Sequence, residues 1–432
     1  MKALIIGAAL SGNACAKLLV SKGYEVYLTD YNLIQEKEEL TELGIKVYDG
    51  GHPDLLKEIK YDLIVKNPGI KYTVPFVDYF VKAGYDIKNE IEVASTFVKN
   101  YNYASITGTN GKTTTTTLLG EFLKTKNSRN DAVGNIGKPL STIVLEHGDE
   151  TLDFAVEIAA FQLLGCFEYH PCVSVCMNLS PDHVDYFGGV DAYYKAKMLV
   201  YKNQCGDDWF LQNIDDALIN QYAKDVPCKV VTFSLEKEAD LCVKDGKVTL
   251  FDKVLFEVSD LKLPGRHNLY NAMVAAAMAY KMGVSIESIQ DVIKNFKGVK
   301  HRLQFVREIN GVRYYNDSKG TNPDSTEVAI KAFDKPVTLL AGGYDKKTGF
   351  ASIIPYLKDV KKMYVFGETK DQLKAIYPEA VVLETMEEAL NLAHQEAIAG
   401  DIVLLSPMCA SWDQFKNFEE RGDIFVSIVE SF

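Results

Sequence analysis

The chain has 432 residues, 47% of them apolar and 25% charged, with a formal net charge of −12. That acidic balance repels phosphate-rich partners and argues against a general binder of nucleic acid or membrane surfaces, while leaving room for local basic sites. Eight cysteines without a CxxC pair indicate neither a zinc ribbon nor a disulfide framework, only reduced and mostly buried thiols.

In chain order, MKALIIGAAL opens on a strand (residues 2–6) and a glycine turn. No cleavage-site pattern and no apolar run of about 18 residues is seen, so the expectation is a cytoplasmic protein without signal peptide or membrane span. Gly12 to Lys22 reads as a helix, Glu25 to Leu28 as a strand ending at Asp30, and Tyr61 to Val65 as a strand stopped by KNPGI. These elements make a first unit, residues 1–92. A second unit, residues 93–297, holds strands at Tyr103–Ile106, Phe154–Ile158 and Val173–Met177, each followed at once by polar residues, as where strand ends open on a site. Within it LPGRHNLYNAMVAAAMAYKMG, Leu263 to Gly283, is a turn and an alanine-rich helix. The third unit, residues 298–432, has strands at Val337–Leu340, Met363–Phe366 and Ile402–Leu405 with helices between. Short β runs alternating with helical patterns predict an α/β fold with parallel sheets.

The most informative stretch is SITGTNGKTTTTTLLG, Ser105 to Gly120. A strand, a glycine loop and a helix in succession aim backbone N–H groups and a positive helix end at an anion. Lys112 adds a mobile charge and Thr113 a hydroxyl suited to Mg²⁺. Ile106 stands where the first glycine of GxxxxGK[ST] would fall, so the pattern is the shorter GTNGKT; the plainer alternative is a glycine turn capping a helix. Five consecutive threonines are poor helix formers and suggest hydroxyls wanted near a ligand. Glu157, near the end of a buried strand, is costly unless it meets a cation. Asp182 and His183 lie in a loop, MNLSPDHVDYFGG. Lys195 and Lys197, by spacing alone, read as a solvated helix face.

GTNGKTT, Glu157 before FQL, NLSPDHVD, GRHNLYNAMVAAA, HRLQ, YYNDSKGTN and LLSPMCASWDQFKNFEERGDIF together resemble the Mur ligases, in the family's order across all three units, and most closely its D-glutamate-adding branch. The resemblance implies a three-domain architecture: a Rossmann-like N-terminal domain for a uridine diphosphate sugar, a central P-loop ATPase-like domain, and a Rossmann-like C-terminal domain for the incoming amino acid. It implies an ATP-dependent ligase joining D-glutamate to UDP-N-acetylmuramoyl-L-alanine through an acyl phosphate, in peptidoglycan precursor synthesis, by a monomer without nucleic-acid or membrane partners. The third unit is expected to close for the reaction.

Position by position, the resemblance places Leu10 and Ser11 at the diphosphate, Asp30 and Tyr31 near uracil, Gly69 and Ile70 on the uridine, and Asn135 on the sugar-peptide. Gly108, Thr109, Asn110, Gly111, Lys112, Thr113 and Thr114 form the ATP phosphate cradle, with Asn268, Asn271, Arg302 and Asp317 as further ATP contacts. Two Mg²⁺ ions are implied, one held by Thr113 and Glu157, the other by His183 and by Lys197 as a carbamylated lysine, which reverses the reading from spacing. Lys319 and Thr321 fall near phosphate transfer and the new peptide, with Lys112, His183, Lys197 and Lys319 as the catalytic set. Lys346, Ser411 and Phe418 match the D-glutamate pocket. The chain departs from the family at Ala159-Ala160, where Ser-Ser is common, at Gly320 for alanine, in NPGI for Ser-Pro-Gly, and at Trp412 for a smaller side chain.

Three other readings compete. Folylpolyglutamate synthases share the cradle but not the first unit or the tail motif. A nicotinamide oxidoreductase would need GxGxxG, and IIGAALSG has Ala9 at the middle glycine. A non-catalytic scaffold would have no use for Lys112, Glu157, His183 and Lys197.

Overall fold

A computed structural model describes residues 1–181, 184–345 and 349–432. It contains three sheets in two compact units: Met1–Glu257 with Asn271–Val292, and Val258–Tyr270 with Ile293–Phe432.

The first sheet is parallel throughout, with Lys46–Tyr48, Glu25–Thr29, Lys2–Ile6, Leu63–Lys66 and Ile87–Lys88 side by side in that order. Lys2–Ile6 is flanked by Glu25–Thr29 on one side and by Leu63–Lys66 on the other, so its C-terminal end is a switch point where a crevice opens. Leucine, isoleucine and valine fill both faces: Leu4 and Ile6 pack with Phe76 and Phe80, while Ala3 and Ile5 pack with Leu19 and Leu28.

The second sheet has nine strands. Its parallel part centres on Tyr101–Thr107, with Leu152–Glu157 and then Asp131–Gly134 on one side and Val173–Cys176 on the other. Gly206–Asn213 and Cys228–Phe233 extend it in parallel, and Leu241–Lys244, Lys247–Leu250 and Lys253–Glu257 finish it as an antiparallel meander. The third sheet, in the second compact unit, pairs Gln304–Ile309 antiparallel with Val312–Asn316 and then runs parallel through Ile402–Leu405, Val337–Gly342, Val360–Phe366 and Val381–Val382. Every strand expected from the sequence is present to within a few residues, and the alanine-rich helix spans Arg266–Lys281. The short edge strands, Gly206–Asn213 and the meander were not foreseen.

One expectation from the threonine run fails. Thr115 and Thr116 are completely buried, and the Thr115 hydroxyl donates to Asn271 Oδ1 at 3.3 Å. Thr113 and Thr114 at the start of the run, and Thr117 at its end, stay half-exposed. The β-branched side chains of Thr115 and Thr116 are packed into the interior.

Candidate active site

Two strand–glycine–helix turns are built from the same backbone device. After Lys2–Ile6, Gly7 takes φ +103° and the helix Leu10–Ser21 starts without a side-chain cap. A Cβ at Gly12 would sit 1.9 Å from the Gly7 carbonyl oxygen, so only glycine lets the helix approach the turn. Asp30 ties this turn to the next strand: one carboxylate oxygen accepts from the Ala8 N–H and the other from the Asn32 N–H, both at 2.8 Å. A cavity of about 760 Å³ opens beside it, within the size range of small-ligand sites. Asp30, Tyr31, Gly69 and Ile70 line it, together with His52 and Phe76, whose rings stack at 4.4 Å. Burial holds the His52 imidazole below its ordinary pKa, and it meets the Thr29 hydroxyl at 2.9 Å. This aromatic platform was missed in the sequence, because His52 and Phe76 are 24 residues apart.

Ala9, Asn67 and Gly69 also line a second, smaller cavity with Leu10, Ser11 and Asn135. The two share walls, so the predicted uridine, diphosphate and sugar-peptide residues lie along one path. Glu90 is buried in the wall of the second cavity, its carboxylate accepting the Ser141 N–H. Burial raises its pKa to about 7. Lys66, beneath the NPGI loop, donates to the carbonyls of Asn67 at 3.2 Å and Ile70 at 2.7 Å, and burial lowers its pKa to about 8. The Tyr186 hydroxyl donates to the Pro68 carbonyl at 3.0 Å.

The second turn follows Tyr101–Thr107. Gly108 has φ +139° and a Cβ there would meet Met177 Cβ at 2.9 Å; Gly111 has φ +83° and a Cβ would meet Asn271 Oδ1 at 2.5 Å. Both positions demand glycine. The helix Lys112–Lys124 begins at Gly111 with no side-chain cap, so its first N–H groups and positive end are presented to a ligand. Asn178 holds the loop from the neighbouring strand: its Oδ1 accepts from the Asn110 N–H at 2.8 Å and its Nδ2 donates to the Asn110 carbonyl at 3.0 Å. Its place directly after a strand, in NLSPDH, was the signal in the sequence.

Charge converges here. Lys112 Nζ donates to the Gly108 and Thr109 carbonyls at 2.8 and 2.9 Å. Lys197 Nζ donates to the same Gly108 carbonyl at 2.8 Å and lies 4.5 Å from the Tyr193 ring. Lys195, by contrast, is an exposed partner of Asp191 at 2.8 Å. The reading of a solvated face therefore holds for Lys195 and fails for Lys197, which is 1% exposed.

Glu157 lies beside Ile106 in register, two residues before Gly108. Its Oε1 accepts from Asn135 Nδ2 at 2.9 Å, while its buried Oε2 has no hydrogen-bond partner among the described residues. A buried, half-satisfied carboxylate beside an uncapped helix start suits a divalent cation that also meets phosphate oxygens. His183 lies outside the described residues, as does Lys346.

In the second compact unit the called residues gather around two loops. Asp317, after the strand Val312–Asn316, accepts from the Leu303 N–H at 3.1 Å and from the Ser406 hydroxyl at 2.7 Å, and burial raises its pKa to about 7. Lys319 Nζ lies 4.3 Å over the Phe418 ring, and Ser411 is buried nearby in sequence to the helix Phe418–Ser431. Thr321 is half-exposed and Arg302 exposed. Asn268 Nδ2 donates to the Pro264 carbonyl at 2.7 Å, and Asn271 falls in the first unit, against Gly111.

Arg421, absent from the sequence reading, fastens these loops together. Fully buried, it donates to the Ser318 hydroxyl and carbonyl at 2.9 and 2.8 Å and to the carbonyls of Cys409 and Ala410 at 3.2 Å. Burial lowers its pKa to about 10, which leaves it charged at neutral pH. Gly320 fits the same packing, since a Cβ there would come within 2.5 Å of Asp317 Oδ2.

Family models match two stretches: the Mur ligase middle domain over residues 106–279, and the Mur ligase glutamate ligase domain over residues 301–409. The chain is also 40% identical, over 439 aligned positions, to a UDP-N-acetylmuramoylalanine–D-glutamate ligase of Geobacillus sp. (strain WCH70), covering 99% of this chain and 97% of that one. This chain belongs to the Mur ligase family. The D-glutamate ligase of Bacillus subtilis (strain 168) is 39% identical over 99% of this chain and 96% of its own. Among solved structures, a UDP-N-acetylmuramate–alanine ligase from Thermotoga maritima matches all of this chain and 99% of its own, with TM-score 0.57 at 18% identity. A pseudomurein peptide ligase type C from Methanothermus fervidus matches with TM-score 0.55, also at 18% identity. These two speak for the Mur ligase fold alone.

Proposed function

We propose that this Mur ligase joins D-glutamate to UDP-N-acetylmuramoyl-L-alanine with ATP as the energy source, in the cytoplasm, as a step in peptidoglycan precursor synthesis. The curated relatives matched over nearly the whole chain are ligases of that name. The observation that supports the chemistry best is the meeting of an uncapped helix start, two lysines on the Gly108 carbonyl and the unpartnered oxygen of Glu157.

A division of labour follows: residues 1–92 hold the sugar nucleotide, 93–297 the ATP, and 298–432 the amino acid. The path from Tyr31 and Asp30 past Ser11 to Asn135 suits a uridine diphosphate sugar whose peptide end reaches the phosphate loop. A carboxylate is a poor acyl donor because its charge repels nucleophiles. An oxygen of the L-alanine carboxylate therefore attacks the γ-phosphorus of ATP, the bond to the bridging oxygen breaks, and ADP leaves an acyl phosphate behind. The deprotonated amine of D-glutamate then attacks the acyl carbon, and the tetrahedral oxyanion collapses with loss of phosphate. Lys112, freed from its carbonyl contacts, follows the transferring phosphoryl group, and the N–H groups after Gly111 hold its oxygens.

The family works with Mg²⁺, which when bound neutralises charge on the phosphate oxygens. Thr113 and Glu157 would hold one ion, and His183 with a carbamylated Lys197 a second. Carbamylation leaves one N–H on Lys197 Nζ, so the bond to the Gly108 carbonyl can persist while the new carboxylate group turns to metal. Lys346, Ser411 and the backbone near Phe418 receive the two carboxylates of D-glutamate, while Lys319 and Thr321 serve phosphate transfer and the new peptide. Asn268, Asn271, Arg302 and Asp317 complete the ATP contacts.

Phosphate release by the purified chain, with ATP, UDP-N-acetylmuramoyl-L-alanine and a panel of amino acids, tests the reading. Release with D-glutamate and not with L-glutamate, L-alanine or diamino acids is expected. Turnover with a folate substrate, or preference for another amino acid, overturns it.

A further inference from the structure

One cluster of metal-ligating side chains stands apart from the residues of the proposed reaction. Among the described residues, His170, Cys205 and Asp208 each place a ligand atom within 4.8 Å of the others. The cluster lies at the N-terminal side of the second sheet, where Val173–Cys176 and Gly206–Asn213 begin, whereas the phosphate loop follows the C-terminal end of Tyr101–Thr107.

The backbone presets the cluster. Cys205 and Asp208 bracket a tight turn, with the Asp208 N–H donating to the Cys205 carbonyl at 3.0 Å and Gly206 taking φ +51°. The turn brings residues i and i+3 to the same side, the spacing by which a Cys-x-x-Cys pair grips zinc, here with a carboxylate in the second place. Asp208 Oδ2 accepts the Cys205 N–H at 2.8 Å, which fixes the carboxylate over the turn. His170 comes from the loop before the neighbouring strand, and its Nε2 lies 2.6 Å from the same oxygen. That loop is anchored where the Cys172 N–H donates to the Tyr103 carbonyl at 2.9 Å and the Trp209 N–H to the Cys172 carbonyl at 3.1 Å.

Around zinc, ligands at about 2.0–2.3 Å in tetrahedral array stand roughly 3.3–3.8 Å from one another, so the His170–Asp208 pair has to open from 2.6 Å and the Cys205 sulfur, within 4.8 Å of both, has to settle into the same range. Imidazole, thiolate and carboxylate together favour a borderline-soft divalent ion over Mg²⁺ or Ca²⁺. Cys205 and His170 are exposed, which leaves a fourth position to water. The two other thiols in this part of the sheet are engaged elsewhere: Cys172 donates to the Tyr103 carbonyl at 3.4 Å and Cys228 to Gln204 Oε1 at 3.5 Å. The nearby ammonium of Lys281 donates to the Asp207 carbonyl at 2.6 Å. We propose that His170, Cys205 and Asp208 form a surface site for one zinc-like divalent transition-metal ion, remote from the ATP site, clamping the loop before one strand to the turn before the next.

Titrating the full-length chain with Co²⁺ under a non-thiol reductant, with Mg²⁺ in excess, tests this directly. A near-ultraviolet thiolate-to-cobalt band that saturates at one equivalent and is displaced by Zn²⁺ is expected, since no thiol belongs to the proposed ATP site. The band should vanish in Cys205→Ser, and its midpoint should weaken at least about tenfold in His170→Gln and in Asp208→Asn, with phosphate release and circular dichroism unchanged in all three. Absence of the band in the wild type, its survival in Cys205→Ser, or wild-type affinity in both other variants overturns the proposal. The last result would mark simple binding to a thiol.

Discussion

The turns after Lys2–Ile6 and after Tyr101–Thr107 share a backbone and differ in charge. Each bends through a glycine of positive φ and starts an uncapped helix, so each is suited to an anion. Around the first, the neighbours are an Asp30 carboxylate already satisfied by two N–H groups, aromatic rings and backbone. Around the second are Lys112, Lys197 and a carboxylate with one unsatisfied oxygen. A phosphate that is only to be held needs N–H groups and shape. One that is to be transferred needs mobile positive charge where new negative charge develops. On the proposed function, the chain has two such turns because one nucleotide is a handle and the other is consumed.

The largest effects should follow from removing the charge that distinguishes the two. Lys112→Ala is expected to lower kcat by about 10²–10³, or about 3–4 kcal/mol of barrier. Ser11→Ala should instead raise KM for the sugar nucleotide with kcat nearly intact, because its contact is the same in ground and transition states. Steady-state phosphate release separates the two, and a kcat loss confined to Ser11→Ala would reverse the assignment. Lys197→Arg keeps a positive charge and cannot be carbamylated. If the carbamate matters, it should resemble Lys112→Ala; if only an ammonium is needed, it should not.

The shared backbone can be broken as well. Gly12→Ala places a methyl group on the Gly7 carbonyl oxygen and should cost about 3 kcal/mol or more in stability, read from urea unfolding. Gly111→Ala combines φ +83° with a contact to Asn271 Oδ1, and the left-handed conformation alone costs about 1–2 kcal/mol. The first should weaken sugar-nucleotide binding selectively and the second ATP binding. Equal damage to both substrates would mean that the turns are not separable.

A smaller effect distinguishes the turns by pH. Burial raises Glu90, in the cavity beside Ser11, to about 7. The folded chain holds this proton through the window above about 4.5 in which the unfolded carboxyl has lost it, so stability falls as pH rises from there to about 7 and then levels. Asp317 in the other unit is raised in the same direction, so Glu90→Gln should remove part of the slope and not all of it. Ionised Glu90 also opposes an anionic diphosphate. KM for the sugar nucleotide should therefore climb above pH 7 in the wild type and stay flatter in Glu90→Gln, with KM for ATP indifferent.

What the sequence disclosed and what it withheld follow from range. The phosphate loop was legible because strand, glycines, lysine and helix are consecutive, and the parallel α/β class because short apolar runs alternate with helical periods. Lys197 was misread by spacing: its helix looks solvated until the fold brings it to Gly108, 89 residues away. Arg421 was missed because its partners at Ser318 and Cys409 come from other loops. The resemblance to a family supplied what periodicity could not, namely which long-range neighbours matter. Even so, it offered no account of the aromatic platform of His52 and Phe76, nor of the three ligands at residues 170, 205 and 208.

The smallest effect concerns the departure at Ala159. The short helix Ala160–Leu163 starts there, and Gln162 Oε1 accepts the Ala159 N–H at 2.8 Å, which is half of a capping box. The other half needs a hydroxyl at position 159 to accept the Gln162 N–H, and a methyl group offers none. Ala159→Ser should therefore stabilise the chain by about 0.5–1 kcal/mol, seen as a raised urea midpoint. Because the helix follows Glu157 directly, the substitution also asks whether the lost serine served the fold or the ligand. A gain in stability with unchanged KM assigns it to the cap. A lower KM for the sugar nucleotide without a stability gain would show that the hydroxyl belongs to the path from Ser11 to Asn135, and that the handle reaches further into the reacting loop than its charges suggest.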